Sequence, residues 1–413
     1  MIGILSSLFS ALVITKLMMD FMVAKGYDIK IGGRSRIFDG LKIDFLGKRK
    51  IAYIVSTVFF AIGLISLAFR GLALGIDFKG GSEIALGFEK PIEIKDVRQN
   101  LEGLGLGNIE VKTFGGETGV LIRTELQEVP KELVPSILAN IESVISESFP
   151  NLQKTFVDST YNSITYDLGD SETANMVVDK RASEGFLASR ASLEPDNTKM
   201  QIRFGIANLL EETLKDKMAG NSFTILKEEN VGPKIGNELK RDALIAIGLS
   251  LLVILLYLGM RFKFVFANGA VAALFHDVMI TLGLFSLLYG FVPFLNLEIS
   301  ISVVAAFLTL VGYSINDTVI VFDRVREELK IHKTIPLEEN INRAINLTMR
   351  RTLMTSFTTL MVITVLLIFG GEVLRGFAFT LFFGIIIGTY SSVFVASAFV
   401  LEYANKTKKK MTF

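Results

Sequence analysis

The sequence contains no cysteine and only two histidines among its 413 residues. The absence of cysteine excludes disulfide bonds and cysteine metal sites. His276 and His332 both lie outside the one long polar region, which excludes Ser–His chemistry there and argues against a zinc site. No P-loop is present, and Gly103, Gly105 and Gly107 do not have the spacing of a dinucleotide-binding fingerprint. These absences favour a protein that is not an enzyme and that binds no cofactor or metal.

What the sequence has in abundance is long apolar runs. Half of its residues are hydrophobic, and the net charge of +1 gives no indication of a nucleic-acid partner. A helix needs about 17–25 apolar residues to cross a bilayer core. Seven stretches are long enough: Ile2–Met19, Lys50–Phe69, Ala243–Met260, Phe264–Gly290, Ile299–Phe322, Thr352–Phe369 and Gly376–Leu401. The sequence therefore predicts an α-helical polytopic membrane protein in contact with the lipid bilayer.

The loops between these runs differ in their content of Lys and Arg. Basic residues concentrate in 25–50, 261–263, 324–351 and 406–410, whereas Phe291–Glu298 has none and Gly370–Arg375 has one. By the positive-inside rule the basic segments belong in the cytoplasm. The polar region from about Gly71 to Arg241 is then a large extracytoplasmic domain, and the amino terminus lies on the same outer side.

This orientation leaves two interpretations of the first run. Residues 1–27 are either the final helix of an upstream membrane half, as in a gene fusion or a truncation, or an ordinary amino-terminal anchor helix.

The polar region has the pattern of a small α+β domain. Strands are predicted at Ser82–Phe88, Asn108–Phe114, Thr118–Thr124 and Ser222–Glu228, and helices at Ile92–Leu104 and from Pro130 to Glu147. The order strand, helix, strand, strand, helix, strand is that of a ferredoxin-like sandwich. The stretch at about 149–221, with a helix at Ile206–Lys217, has no place in that sandwich. We expect a binding or mechanical module.

Ionisable residues inside the apolar runs indicate function, because a charge in a transmembrane segment costs several kcal/mol. Asp317 lies in the fifth run, and Arg351 opens the sixth. His276 and Asp277 fall near the middle of the fourth run and form a further intramembrane polar site. Polar neighbours that could support Asp317 and Arg351 are Ser314, Asn316, Thr318 and Thr355.

Three interpretations of Asp317 and Arg351 remain open. In the first, Asp317 takes up and releases a proton while Arg351 responds to its charge. In the second, the two form a static ion pair that holds helices together. In the third, Arg351 only extends to the lipid headgroups. Because ionisable residues within membrane helices usually mark ion or proton pathways, we favour the relay for Asp317. For His276 and Asp277 we favour structural packing.

Several motifs resemble those of the SecF family, part of the resistance–nodulation–division superfamily. They are Gly75–Ser82, Val231–Leu239, Gly312–Arg324 and Arg351–Ser356, together with Gly370–Glu372 and Gly388–Ser392. The likeness covers about Lys48 to Tyr403, and Ile2–Asp20 is similar to the last helix of SecD. This favours a SecDF-type fused chain.

The resemblance implies a domain plan. Residues 1–27 are a SecD-type helix, 28–49 a basic cytoplasmic linker, 50–70 the first SecF span, and 71–241 the extracytoplasmic domain. Residues 242–403 complete a six-helix bundle, and 404–413 are a basic tail.

The resemblance also implies a function and partners. The family acts in the cell inner membrane and uses the proton-motive force to help draw unfolded preproteins out of the SecYEG channel. Its partners include SecD and SecA, with YajC and YidC as further candidates. Asp317 and Arg351 match the family's proton-transport residues. A proton-coupled exporter of small molecules or lipids and a passive translocon scaffold are the alternatives.

Overall fold

A computed structural model gives the fold. The structure describes residues 6, 9–27, 43–102, 104–107, 109–150, 152–159, 163–183, 187–190, 198–203, 205–218, 220–292, 295 and 297–407. The chain divides into two compact units, residues 1–43 and residues 44–413. Most of the predicted basic linker at 28–49, and the tail from 408 onward, lie outside the described residues.

The first unit contains one described helical segment. A single π turn at Ser10–Ile14 leads into helix α1, Thr15–Ala24, and the Thr15 hydroxyl donates to the carbonyl of Ser10 at 3.1 Å. Its large apolar side chains, including Leu17 and Phe21, are exposed. Residues 1–5, 7 and 8 are outside the described part, so the predicted span of this first run stays a prediction.

The second unit begins with a membrane helix and continues into an inserted domain. Helix α2 is Arg49–Arg70, entered through a short 3-10 turn at Leu46–Lys48. The inserted domain, residues 71–231, contains in chain order α3 (Ile76–Lys79), β1 (Gly81–Phe88), α4 (Ile94–Leu101), β2 (Ile109–Thr113), β3 (Gly119–Thr124), α5 (Val134–Ser148), β4 (Thr155–Ser159), β5 (Ser163–Asp167), α6 (Ser171–Ser183), β6 (Leu187–Arg190), β7 (Lys199–Arg203), α7 (Ile206–Lys217) and β8 (Phe223–Val231).

The first sheet of the inserted domain has the predicted ferredoxin-like order. Its four strands lie in the order β2-β3-β1-β8, with every neighbouring pair antiparallel. Gly115 and Gly116, both with positive φ, form the turn between β2 and β3. The hairpin predicted from this glycine pair is confirmed.

The second helix of the sandwich is not the one that the sequence suggested. Helix α7 packs against α4, and the ammonium group of Lys217 donates to the carbonyl of Asn100 at 2.7 Å. Helix α5, predicted for that position, belongs with the chain that follows it, because the Tyr166 hydroxyl donates to Glu142 at 3.2 Å. The extra stretch builds a second four-stranded antiparallel sheet in the order β4-β5-β7-β6.

The two sheets share one hydrophobic core. Ile84 and Ile122 from the first sheet belong to the same buried cluster as Tyr166 and Met200 from the second. The added sheet is therefore packed onto the sandwich as part of one domain, which the sequence pattern alone did not reveal.

The remaining helices form a membrane bundle. They are α8 (Pro233–Arg261), α9 (Phe264–Leu288), α10 (Ile301–Ile331), α11 (Leu337–Phe369), α12 (Gly371–Ser391) and α13 (Ser397–Thr407). A π turn at Ser392–Ala396 joins α12 to α13 in one continuous span. With α2, the described residues contain six helices that are long and apolar enough to cross a membrane. The chain is a multi-pass membrane protein with an inserted α+β domain, as predicted.

Helix α11 begins fifteen residues before the predicted apolar run. Its first turns bury Ile341, Ala344 and Ile345 against the bundle, while the charged residues between them face outward. Hydropathy marks only the part of a helix that lies in lipid. A count of apolar residues therefore does not detect this amphipathic extension of the helix.

Helices α2 and α9 approach each other closely at a pair of glycines. Gly63 and Gly283 face each other there, and the hydroxyls of Ser66 and Ser286 are 2.8 Å apart one turn further along. Small residues permit this contact between membrane helices, because no Cβ atom keeps the backbones apart.

The inserted domain is attached to the start of α10 by backbone hydrogen bonds. The amide of Ile299 donates to the carbonyl of Ala73, and the amide of Gly75 donates to the carbonyl of Ile299, both at 2.8 Å. The carboxylate of Asp77 in α3 accepts from the amide of Ile301 at 2.8 Å and so caps α10. We call residues 73–77 and 299–301 the junction.

Gly80 and Gly81 connect the junction to strand β1 of the first sheet. Gly80 and Gly81 have φ values of 78° and 114°, which residues with a Cβ atom rarely adopt. A Cβ atom on Gly81 would also collide with the carbonyl oxygen of Thr124.

A group of charged side chains reinforces the junction. Arg123 of β3 forms ion pairs with Glu83 of β1 and, at 2.8 Å, with Glu298 just before α10. Lys112 adds a second contact to Glu298 at 2.6 Å, and Lys227 pairs with Glu83 at 3.0 Å. We call these five residues the junction ion cluster.

The junction ion cluster shifts the pKa values of Glu298 and Lys112. Burial raises the pKa of Glu298, but the hydrogen bonds and charges of Arg123 and Lys112 outweigh burial and hold it below the ordinary range. Burial alone would lower the pKa of Lys112, yet Glu298 and Glu110 raise it to about 12. Glu298 and Lys112 are therefore both charged at neutral pH.

Replacing Gly283 by alanine should destabilise the bundle. The new Cβ atom would come within 2.5 Å of the Cα atom of Gly63, and backbone atoms cannot move aside as a flexible side chain can. We expect a loss of about 1–3 kcal/mol, measured by thermal unfolding in detergent. Gly312→Ala is the control, because no atom lies within 4 Å of its Cβ position. Equal melting temperatures for both variants would contradict this packing.

Replacing Arg123 by methionine should loosen the junction, because Glu83 and Glu298 would remain buried without their main partner. Breaking a buried pair costs about 3–5 kcal/mol. Amide hydrogen exchange in residues 299–303 should accelerate at least about tenfold. Lys215→Met removes the same charge from an exposed pair with Glu211 and should leave that exchange unchanged.

The effect of Arg123→Met should also depend on pH. Because the folded pKa of Glu298 is lowered, its contribution to stability is complete above about pH 4.3, the ordinary pKa of glutamate. That contribution is lost as the pH falls through the lowered value. The difference between wild type and variant, after correction for intrinsic exchange rates, should therefore shrink in acid. A difference that grows in acid would contradict the assignment.

Candidate functional site

Buried polar side chains gather at the middle of the membrane helices. Asp277 lies thirteen residues into α9, about 20 Å from its start, and Asp317 lies sixteen residues into α10, about 24 Å along. Arg351 is near the middle of α11. The predicted intramembrane residues therefore come from three different helices and lie far from both helix ends.

Asp317 is buried with spare hydrogen-bonding capacity. Its side chain is 2% exposed, and its Oδ2 atom has no hydrogen-bond partner. Arg351 interacts electrostatically with its carboxyl group, and the Ser356 hydroxyl lies beside it. Arg351 is itself exposed on α11. A carboxyl group with a free lone pair and a nearby guanidinium can exist either ionised or protonated.

The four predicted supporting residues occupy different environments. Asn316 is exposed on the outer side of α10, and the Thr318 hydroxyl donates to the carbonyl of Ser314 at 3.3 Å. Thr355 is exposed, and its hydroxyl bonds to its own helix. Ser314 donates to Asp277 at 2.7 Å. The structure thus places Ser314 beside Asp277.

Both oxygens of the Asp277 carboxyl group have polar partners. It is 1% exposed, and its Oδ2 atom accepts from Ser314 of α10 at 2.7 Å and from Ser391 of α12 at 2.8 Å. Its Oδ1 atom is 3.0 Å from the Nδ1 atom of His276. Gly388 makes room for this arrangement, because a Cβ atom there would press on Ser314.

His276 faces α2 across an apolar cavity of about 370 Å³. The cavity is lined on one side by Ser56 and Phe59 of α2 and on the other by Phe383 and Tyr390 of α12. The Nε2 atom of His276 is buried and has no hydrogen-bond partner.

Further hydroxyl pairs join the helices at this depth. Ser356 of α11 and Thr389 of α12 are 2.8 Å apart, and the Tyr313 hydroxyl donates to Thr359 at 3.2 Å. The hydroxyl of Thr352 is buried without a partner. We call the set of Asp277, Asp317, Ser314, Ser356, Thr389 and Ser391 the polar layer.

Sequence analysis did not assign roles to Ser356, Thr389 or Ser391. Their positions could have indicated a functional role, because they lie in two of the motifs that carry the family resemblance. The motif of Thr389 and Ser391 also ends at the π turn, a distortion that is frequent at functional sites. Hydropathy does not distinguish a hydroxyl that bonds across helices from one that bonds to its own backbone.

The polar layer has the chemistry of proton binding. It presents two carboxyl groups and several hydroxyls within an apolar bundle, with the imidazole of His276 beside Asp277. Ionisable groups in such a bundle mark ion or proton pathways. Among the described residues, no group of three His, Asp or Glu side chains could hold a metal ion.

Comparisons with known protein families identify relatives. Residues 210–406 match the family model of the C-terminal region of the protein export membrane proteins SecD and SecF, and residues 65–92 match the SecD/SecF GG motif. The second match includes Gly80 and Gly81, the pair that leads from the junction into β1.

Curated relatives align over most of their length. The protein translocase subunit SecF of Rhodothermus marinus is 40% identical over 367 residues, which cover 89% of this chain and 95% of the relative. The SecF subunit of Koribacter versatilis is 36% identical over 383 residues, with 89% and 93% covered.

A solved structure has the same architecture. The crystal structure of SecDF from Thermus thermophilus, described as a translocon-associated membrane protein, matches with a TM-score of 0.69 and 30% identity. The match covers 98% of this chain but only 44% of the SecDF chain, so this chain spans less than half of that protein. By identity and coverage, the chain belongs to the SecF family of protein translocase subunits.

Proposed function

We propose that this protein is the SecF-type part of a Sec protein-export machine and that proton movement through its bundle drives work on the exported chain. The family supports a role in Sec-dependent export. The single observation that carries the proton mechanism is Asp317, a buried carboxyl group with an unpartnered oxygen and Arg351 within electrostatic range.

Protonation of Asp317 would change the forces between two helices. An ionised Asp317 is attracted to Arg351 on α11, and a protonated one is not. Attraction between charges is strong where water is excluded, so the gain or loss of one proton alters how α10 and α11 pack. One charge crossing 100 mV supplies about 2.3 kcal/mol to drive this change.

The junction offers a route from this change to the inserted domain. Helix α10 carries Asp317 at its middle and is held at its start by Asp77 and the backbone of residues 73–75. A shift of α10 along or around its axis would therefore be transmitted to β1. This coupling is mechanical and requires no chemical change in the exported chain, and we propose that the protein is not an enzyme.

The partners follow from the same proposal. The basic loops favour an inner-membrane orientation with the inserted domain on the extracytoplasmic side. There the domain would meet unfolded preprotein leaving the SecYEG channel after SecA has acted. A SecD half is the expected partner of the bundle, since the similar SecDF chain is more than twice as long as the matched part. YajC and YidC are further candidates.

Replacing Asp317 by asparagine should abolish the proton-dependent part of export while leaving the protein folded. Asparagine has nearly the same shape but cannot ionise. Arg351→Met should have the same effect, because it removes the charge that responds to Asp317. The measurement is the export rate of a secreted reporter in proton-energised vesicles, with a SecD partner co-expressed. We expect at least about a tenfold loss of the stimulation.

Asn316→Ala is the matched control, since Asn316 adjoins Asp317 on α10 but is exposed on the other side of the helix. It should export at the wild-type rate. If Asp317→Asn and Arg351→Met also export at that rate and assemble normally, the pair serves only to hold helices together, and the protein is a passive scaffold. If export is normal but both variants lose proton-coupled efflux of a small molecule, the exporter alternative is correct.

A further inference from the structure

The surroundings of Asp277 and His276 carry an inference that rests on the proposed proton mechanism. Sequence analysis favoured structural packing for these two residues. Structural packing needs one buried hydrogen bond, but the structure places three polar groups around the Asp277 carboxyl group: two hydroxyls and an imidazole. It also leaves the far nitrogen of His276 buried and unpartnered at the cavity facing α2.

A bare carboxylate at this position would be very costly. Asp277 is 1% exposed and lies near the middle of α9, and the cavity beside His276 is almost entirely apolar. Two serine hydroxyls cannot neutralise a full charge. The Oδ1 atom and the Nδ1 atom of His276 are 3.0 Å apart, so a proton must lie between them for the contact to be favourable.

We propose that Asp277 and His276 together hold one proton in the bundle, carried on the Asp277 carboxyl group, as a second proton site joined to the Asp317 helix through Ser314. In the resting form, Oδ1–H of Asp277 donates to Nδ1 of His276. Transfer breaks that O–H bond and forms an N–H bond, and the electron pair stays on the carboxylate. The pair then becomes a carboxylate and an imidazolium without another reactant.

The position of this proton determines how firmly three helices are held together. The other oxygen of Asp277 accepts from Ser314 of α10 and from Ser391 of α12. Hydrogen bonds to an ionised acceptor are roughly twice as strong as those to a neutral one. Proton transfer to His276 would therefore tighten α10 and α12 on α9, and its return would loosen them. Asp317 follows Ser314 by three residues on α10 and would move with it.

Other titratable side chains lie on the helices packed against α9. They include Tyr53 of α2, Tyr313 and Asp317 of α10, and Tyr390 of α12, which adjoins Ser391. The Tyr390 hydroxyl donates to the carbonyl of Ala52 at 2.8 Å and lies 3.1 Å from the Ser56 hydroxyl. Of these four residues, only Asp317 carries a carboxyl group.

Infrared spectroscopy of the full chain in lipid bilayers tests the proposal directly. A protonated carboxyl group has a C=O stretching band that is separate from that of a carboxylate. At neutral pH, Asp277→Asn should remove one such band. Ser314→Ala and Ser391→Ala should each shift it, because each removes a hydrogen bond to the carbonyl oxygen. Thr281→Val is the control, since Thr281 is buried on the same helix and bonds only to the carbonyl of Asp277.

If Asp277→Asn does not fold, the shift of the carboxyl band in Ser314→Ala and Ser391→Ala still tests the proposal. A carboxyl band that is unchanged in Asp277→Asn, or unshifted in both serine variants, would overturn the proposal.

Export in proton-energised vesicles separates this inference from the proposed function. We expect Asp277→Asn to lower the proton-dependent stimulation at least about tenfold, and Thr281→Val to leave it unchanged. Wild-type stimulation in Asp277→Asn together with a loss in Asp317→Asn would overturn the second proton site and leave the proposed function intact. Wild-type stimulation in both aspartate variants would overturn the proposed function itself.

Discussion

A membrane interior offers no water to polar groups, and this constraint determines how the bundle is built. Each buried hydroxyl or carboxyl group must find its partner on another helix or on its own backbone. Asp277 meets this requirement by accepting from α10 and α12 at once, and Ser356 pairs with Thr389. Asp317 meets it only in part, because one oxygen remains unpartnered. Asp277 is bonded to Ser314, and Asp317 lies three residues beyond Ser314 on α10. The contrast between a satisfied and an unsatisfied carboxyl group is the physical basis for proposing two proton sites.

The bundle and the inserted domain are connected through a short length of chain. Residues 73–75 and Ile299 exchange backbone hydrogen bonds, Asp77 caps α10, and Arg123 binds Glu298 across the same boundary. Backbone hydrogen bonds and a buried ion pair at one place oppose separation of the two parts, because breaking each of them costs free energy. Small changes inside the bundle can therefore reach the sheet, since the helix that carries Asp317 is the one that is held.

The sequence predicted the membrane spans, the ferredoxin-like strand order and the intramembrane residues, because hydropathy, strand alternation and isolated charges are local signals. It did not identify α7 as the second helix of the sandwich, since α5 and α7 both have helical periodicity and only packing on α4 distinguishes them. The sequence also did not predict the hydrogen bond between Ser314 and Asp277. That contact depends on how α9 and α10 are rotated about their axes, and the spacing of residues along each helix does not give this rotation. The Arg123–Glu298 ion pair joins residues 175 positions apart and was equally out of reach.

The π turn at Ser392–Ala396 accommodates one extra residue within the last span. A π turn holds one residue more than an α-helical turn, and each residue of an α-helix advances the side-chain direction by about 100°. If the same sequence formed a regular α-helix here, every side chain beyond the turn would be rotated by about 100°. Leu401 would then leave the core, and Glu402 would no longer reach Arg49. The π turn therefore determines which face of α13 packs on the bundle, even though the segment would cross the membrane in either form.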